Sequence, residues 1–569
     1  MKQYILIVAA VFLMMGCESV LDIKPTNMIS SEDVKNDPVL VDAFLTKIYN
    51  SVRWQTGAPS EAMATLSVCG GEHTVFAGWQ NPFKAAMHIM DEIGAHSLLD
   101  YWPYGNIRSA NEILEILEES DFDDSFVVSR MAEARFLRAF MYFELVKRYG
   151  GVPLITIPQS IDQPIEELMV PRNSEQEIYD FIAAELDEIA PDLPEGYSND
   201  AFGRPTKWAA IALKSRAMLY AGSIGEYATV QLNGILGIPD GPTSYWQAAY
   251  DASMDIINNS SHSLYNENAD PAENYAEIFL NDANSEVIFA EVYNLGLLKT
   301  HGWNFYNMPD GFRTGWGSNG PVYLEHVERY EMMDGSSGKF NWDDLNDQVM
   351  FDNNEIMHNR DPRFRASVFY PETPWQDSKV YLHKNTTGTI DPASGWPKVA
   401  PARNYKKSGF LTRKRVNESI KLPISQEDES DWIVFRLAEM YLNAAEAAFH
   451  LGNSGEALSL VNAIRERAGM PAKSSIDFET IKNERAVELA FEEHRYWDIR
   501  RWRTAVEELE GKGFHGVDWI YHFDEQKYTL KLKDAYYKQI RVFAERNYYL
   551  PLGINRLADN TNLVENPGY

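Results

Sequence analysis

Between Trp432 and Pro471 apolar and small side chains recur at helical spacing in two runs separated by a polar turn. The first run carries Ala438, Ala444, Ala445 and Ala448. Gly452-Asn453-Ser454-Gly455 then reverses the chain. The second run, from about Glu456, sets Ala457, Leu460, Val461 and Ile464 at the same period. Small residues let two helices approach closely, as a tetratricopeptide unit requires. Related helical runs are predicted over Pro103–Glu119 with Phe126–Tyr149, over Glu175–Ala190 with Thr206–Ala221, and over Tyr245–Asn258. Such units stack to bury a shared face. The pattern stops in Leu295–Pro321 and Ser337–Asp428, which are rich in Gly, Pro, Asn, Asp and aromatic residues. Those blocks read as ordered loops and short strands. The expected fold is mainly α: a tetratricopeptide-like helical-repeat scaffold with an irregular, loop-rich, short-strand half.

The first residues follow a different logic. Met1-Lys2 precedes an apolar run, Tyr4 to Met15, and then Gly16-Cys17. This reads as a lipoprotein signal over residues 1–16, although Met14 and Met15 depart from the usual cleavage box. The run is too short to span a bilayer, which takes about 20 residues. Cleavage would leave Cys17 as an acylated first residue, and several acyl chains anchor stably. Cys69 would then be alone, without a disulfide, and reads as a buried thiol rather than a nucleophile.

The net charge of −31 argues against nucleic acid as a partner. No HExxH, G-x-S-x-G or phosphate-binding loop is present. Ile481–Trp502 is predicted to be one long helix with Glu484, Glu488 and Glu492 in a stripe bordered by Arg485, Arg495, Arg500 and Arg501. A carboxylate pair could serve glycoside hydrolysis. Carboxylates beside that many guanidiniums keep low pKa values, which suits a salt-bridged scaffold better than a general acid. Asp343–Asn354 offers oxygen ligands without EF-hand spacing, so no cofactor is expected and calcium there is unsupported. Tyr101, Trp102, Trp497 and Trp502 sit in helical patterns and read as core.

Several short motifs occur in order along the chain. They are Trp102-Pro103-Tyr104-Gly105-Asn106-Ile107 with Asn111, Tyr149-Gly150-Gly151-Val152-Pro153-Leu154, Pro321 to Gly335, Arg360-Asp361-Pro362-Arg363-Phe364, and Ser408-Gly409-Phe410 with Lys414. The chain ends in Leu550-Pro551-Leu552-Gly553 and Asn560-x-Asn-Leu-x-x-Asn-Pro-Gly-Tyr569. Together they resemble the SusD/RagB family of Bacteroidota surface lipoproteins. The resemblance implies a single domain over residues 17–569, with helical parts near 30–60, 100–260 and 430–505. The loop-rich ligand-binding parts would lie near 61–99, 262–428 and 505–569. It implies a non-catalytic glycan-binding protein, lipid-anchored in the outer membrane and exposed at the surface. Its implied partner is a SusC-like TonB-dependent transporter.

The resemblance also implies glycan-stacking aromatics in two loop blocks. Flat aromatic rings cover the C–H face of a sugar, and Asn or Arg bonds its hydroxyl rim. The candidates are Trp79 and Asn81 in the first block. In the second they are Trp303, Asn304, Tyr306, Arg313, Trp316 and Tyr323. The residues alone also admit an enzyme on a helical scaffold, or a helical-repeat protein that binds peptides.

Overall fold

The computed structural model describes residues 30–54, 66–75, 98–197, 201–313, 315–425, 427–535 and 540–569. One half is a stack of antiparallel helices. These are α1 (Pro38–Ser51), α2 (Tyr104–Glu118), α3 (Asp124–Tyr149), α4 (Glu175–Ile189), α5 (Lys207–Tyr227) and α6 (Thr243–Asn259). After the loop-rich block come α7 (Leu437–His450), α8 (Ser454–Arg467), α9 (Phe478–Glu488) and α10 (His494–Arg501). Caps fix the starts: the Ser174 hydroxyl accepts from Glu177 N–H while Glu177 accepts from Ser174 N–H.

Small residues set the packing, as the spacing predicts. Ala444, Ala445, Ala448 and Ala457 are fully buried where α7 meets α8. Gly222 on α5 lies under the Trp246 indole of α6, and a Cβ there would fall 2.6 Å from the ring. Trp246 stacks in turn on His450 of α7, with centroids 4.3 Å apart and planes 7° from parallel. The helical stack therefore continues from α6 to α7 across the whole intervening block.

That block leaves and rejoins the stack through β1 (Val287–Glu291), which pairs antiparallel with β4 (Trp432–Arg436). Here the structure corrects the sequence reading, which began a helix at Trp432. An apolar run of four residues, Trp432–Phe435, fits a strand as well as a buried helical turn. The irregular half also holds a four-stranded sheet of β2 (Asn346–Phe351), β6 (Lys527–Asp534), β5 (His515–His522) and β3 (Asn385–Thr387), in that order. All pairs are antiparallel except β5 with β3. Trp303, Trp375 and Trp519 fill the core beneath it.

The long helix expected over Ile481–Trp502 is broken. Phe491 and Glu493 take left-handed backbone, with φ 60° and 67°, between α9 and α10. The break turns Glu492 toward Arg436 and Lys414, each at 2.7 and 2.6 Å respectively. A buried ion network forms around this point. Glu488 accepts from Arg363 at 2.9 Å and Arg436 at 2.7 Å, and also from Arg467. Arg363 further holds Asp361 and Glu484 at 2.7 and 2.6 Å. The residues Arg360 to Phe364 thereby bolt the irregular half onto α9.

The terminal segment, grouped by sequence with the loop-rich half, lies on the helices instead. Asn560 and Asn562 donate to the carbonyls of Val170 and Met169. Asn566 donates to Tyr149 and Leu550 carbonyls and accepts from Arg172. The asparagine-rich end is thus a clasp that satisfies backbone carbonyls exposed at loop turns. Cys69 is fully buried, and burial pushes its thiol up to about 12, so it is inert as a nucleophile.

Candidate functional site

Residues 301–320 form a folded loop on the irregular half. Its start is a single helical turn, Trp303–Asn307. Helical geometry sends positions 303, 304 and 307 to one side and 305 and 306 to the other. The inner side is pinned. Trp303 is only 2% exposed, its indole N–H donates to the Lys414 carbonyl at 2.9 Å, and its ring meets Trp432 edge-on. Asn304 is clamped between Asp428 and the Asn417 N–H. Tyr323 is buried too: it stacks on Phe514 at 4.6 Å and its hydroxyl accepts from Arg541. Trp303, Asn304 and Tyr323 are therefore corrected from ligand contacts to core. Their polar atoms are spent on the protein and no face is open to a sugar.

The outer side carries Phe305 and Tyr306, both partly exposed, with centroids 5.1 Å apart. Gly315 closes the loop over Phe305, where a Cβ would stand 2.9 Å from the ring. Trp316 follows at once and is 39% exposed. The Arg403 guanidinium lies over the Trp316 ring at 5.4 Å, and Arg313 pairs with Asp310 at 2.8 Å. Burial, and then the like charge of Arg313, hold Arg403 below its usual range. One buried side chain fixes the floor. Asn404 accepts from Asp310 N–H and the Ser318 hydroxyl, and donates to the carbonyls of Asp310 and Tyr381.

The structure thus brings together Tyr306, Arg313 and Trp316 and adds Phe305, Asp310 and Arg403. Arg403 carries no local sequence signal of a site beyond its charge. Trp79, Asn81 and Cys17 lie outside the described residues. Glu72 and Thr74 lie beside this loop, since Thr74 N–H donates to the Pro321 carbonyl and Tyr323 N–H to that of Glu72.

The arrangement is a polar-rimmed aromatic face, and the carboxylate stripe of α9 lies outside it. The Glu484, Glu488 and Glu492 carboxylates are buried in the ion network. Burial raises the carboxyl pKa, but the guanidiniums of Arg467, Arg436 and Arg363 outweigh it and keep Glu488 far below the carboxylate range. Glu492 is likewise held at about 2 by Arg436 and Lys414 against burial. Groups this acidic hold no proton to donate at neutral pH. Among the described residues no three His, Cys, Asp or Glu are grouped to hold a metal ion. Asp343–Asn354 forms a short 3-10 turn and β2 rather than a calcium loop.

A family model described as "SusD family" matches residues 285–569, half of the chain, with the whole candidate site inside it. The chain belongs to the SusD family. A second model, "Starch-binding associating with outer membrane", matches residues 20–219 of this SusD-family protein. A SusD-like protein of Formosa agariphila is 24% identical over 558 residues, spanning 88% of this chain and 91% of the relative. The starch-binding protein SusD of Bacteroides thetaiotaomicron is 25% identical over 484 residues, spanning 78% and 74%. The crystal structure of a SusD-like protein from Bacteroides fragilis superimposes with a TM-score of 0.77 at 24% identity, covering 96% of this chain and all of that one. The SusD-like fold is mainly α with few short strands.

Proposed function

We propose that this SusD-family protein is a non-catalytic, surface-tethered glycan-binding protein that hands oligosaccharides to a SusC-like TonB-dependent transporter. The observation that carries the reading is the exposed Trp316 beside Phe305 and Tyr306, on a loop whose inner face is locked into the core. Rigid aromatics on a shallow surface, rimmed by Asp310, Arg313 and Arg403, match the two-sided chemistry of a sugar ring. Trp79 and Asn81 would complete the platform from the neighbouring segment. The descriptions of the second matching family model and of the relative from Bacteroides thetaiotaomicron support carbohydrate as the ligand class.

A panel of plant, host and microbial polysaccharides, assayed in parallel for binding and for new reducing ends, tests the reading. Binding without turnover is expected. Release of reducing ends would instead mean a hydrolase.

The apolar run before Cys17 supports anchoring in the outer membrane through acyl chains. The expected result for Cys17→Ala is loss of the protein from the membrane fraction. Retention there would contradict the anchor. Gentle extraction of the parent from native membranes should co-purify a TonB-dependent transporter, and the helical half is proposed to make the larger contact.

A further inference from the structure

On the helical half a cleft of about 470 Å³ opens between the end of α5, the turn after α10 and the terminal segment, and no residue of the 301–320 loop lines it. That volume falls in the range of small-molecule sites, roughly 300–1,000 Å³. Its walls carry Tyr227, Gln231, Tyr548 and Tyr549, together with two guanidiniums, Arg503 and Arg546. In a chain of net charge −31 this cleft holds two cations against one acid, Glu545.

The protein holds both guanidiniums in place without a carboxylate. Arg503 donates to the Arg500 carbonyl at 3.1 Å and to the Tyr549 hydroxyl at 2.8 Å. It lies over the rings of Tyr548 and Tyr549 at 4.7 and 4.8 Å. Glu175, behind Tyr549, accepts from that hydroxyl rather than from the guanidinium. Arg546 lies over the Tyr569 ring at 5.1 Å and donates to the Gly568 carbonyl at 2.9 Å. Gly568 has φ 93°, and a Cβ there would stand 2.8 Å from the Arg546 Cβ, so glycine lets the tail close on this side chain. Among the described residues neither guanidinium forms an ion pair, with Glu545 or with any other acid. A guanidinium has five N–H donors, and these contacts leave most of them for a ligand. A second, independent feature is the backbone of Arg503. It takes φ 57° just after α10, where helices commonly end in glycine, and Thr504 N–H closes the turn on the Ile499 carbonyl at 3.0 Å. Glycine would end this helix without strain, whereas arginine there delivers a guanidinium to the cleft.

We propose that this cleft is a second ligand site, which takes a small organic dianion bearing phosphate or carboxylate groups between Arg503 and Arg546. A planar guanidinium matches the oxygens of either group in paired fashion, and one already stacked on an aromatic ring is pre-organised to do so. Gln231 adds an amide for a hydroxyl on the body of the ligand. The site is separate from the platform and does not depend on what the platform binds.

The test is calorimetry of the purified protein at neutral pH with inorganic phosphate, glucose 6-phosphate, citrate and, as the neutral control, glucose. At least one of the three anions should bind with a Kd of about 1 mM or tighter, and glucose should not. Glucose 6-phosphate and citrate distinguish a phosphate ligand from a carboxylate one. Arg546→Gln should weaken the bound anion at least about tenfold, because hydrogen bonds to a charged group are lost. It should melt with the parent, since Arg546 is exposed. Arg503→Lys keeps the charge, removes the planar fork and should cost a similar factor. An anion that binds the parent and Arg546→Gln alike sits elsewhere, and the inference falls. It falls equally if none of the three anions binds, or if glucose binds as tightly as glucose 6-phosphate. None of these outcomes bears on the glycan-binding reading.

Discussion

Trp303→Ala is expected to destabilise the protein by about 3–5 kcal/mol, the range for truncating a buried aromatic. The indole fills the core of the irregular half against Trp432 and donates to the Lys414 carbonyl. Its loss opens a cavity and leaves that acceptor unpaired, so both costs add. Chemical denaturation should show an earlier midpoint for this half. Trp316→Ala, thirteen positions along the same loop, should leave the midpoint nearly unchanged, because an exposed side chain contributes little to the core. A Trp303→Ala variant that unfolds with the parent would mean that the loop is not anchored through this ring.

Glu488→Gln should cost a similar amount, about 3–5 kcal/mol, by breaking a buried ion network from one side. Arg363, Arg436 and Arg467 converge on this one carboxylate, and all three are buried. Replacing it leaves guanidinium charge without its counter-charge in a low-dielectric setting. Buried carboxylates of this network and of the neighbouring Glu446–Arg501 pair set the acid limit. Glu446 and Glu492 are held at about 2 in the folded state by Arg501 and Arg436, against an unfolded value near 4.3. A depressed carboxyl stabilises the fold above its unfolded pKa, and this stabilisation fades as pH falls toward the folded value. The parent should therefore lose stability from about pH 5 downward to pH 2. Glu488→Gln should unfold at a higher pH than the parent, as read by tryptophan fluorescence. A variant with the parent's acid midpoint would contradict the role given to this carboxylate.

The helical half was legible because its information is local. Small residues every few positions, polar turns and capping serines each act within a few residues of chain. The break at Phe491–Glu493 was not legible, since no Gly or Pro marks it. It exists because Glu492 gains Arg436 and Lys414, both more than fifty positions away. Trp303 and Trp316 were indistinguishable in sequence for the same reason, as both sit among Gly and Asn. What separates them is the Lys414 carbonyl and Trp432, delivered by the fold to one side of a single helical turn. Arg403 was hidden because its value lies in a contact across about ninety residues with Trp316.

Phe305, Tyr306 and Trp316 are proposed to form a glycan platform on a rigid loop. The decisive measurement is calorimetric titration of the best-bound oligosaccharide into the parent, Tyr306→Ala and Trp316→Ala, with thermal melts of all three. Ring stacking on an aromatic is worth about 1–3 kcal/mol by alanine substitution, and a sugar ring belongs at the low end. Each variant should therefore bind about five- to tenfold more weakly, since about 1.4 kcal/mol is tenfold, with Trp316→Ala melting within a degree or two of the parent and Tyr306→Ala, which also packs on the core, melting lower. Both variants binding as tightly as the parent would place the site elsewhere on the protein and contradict the account.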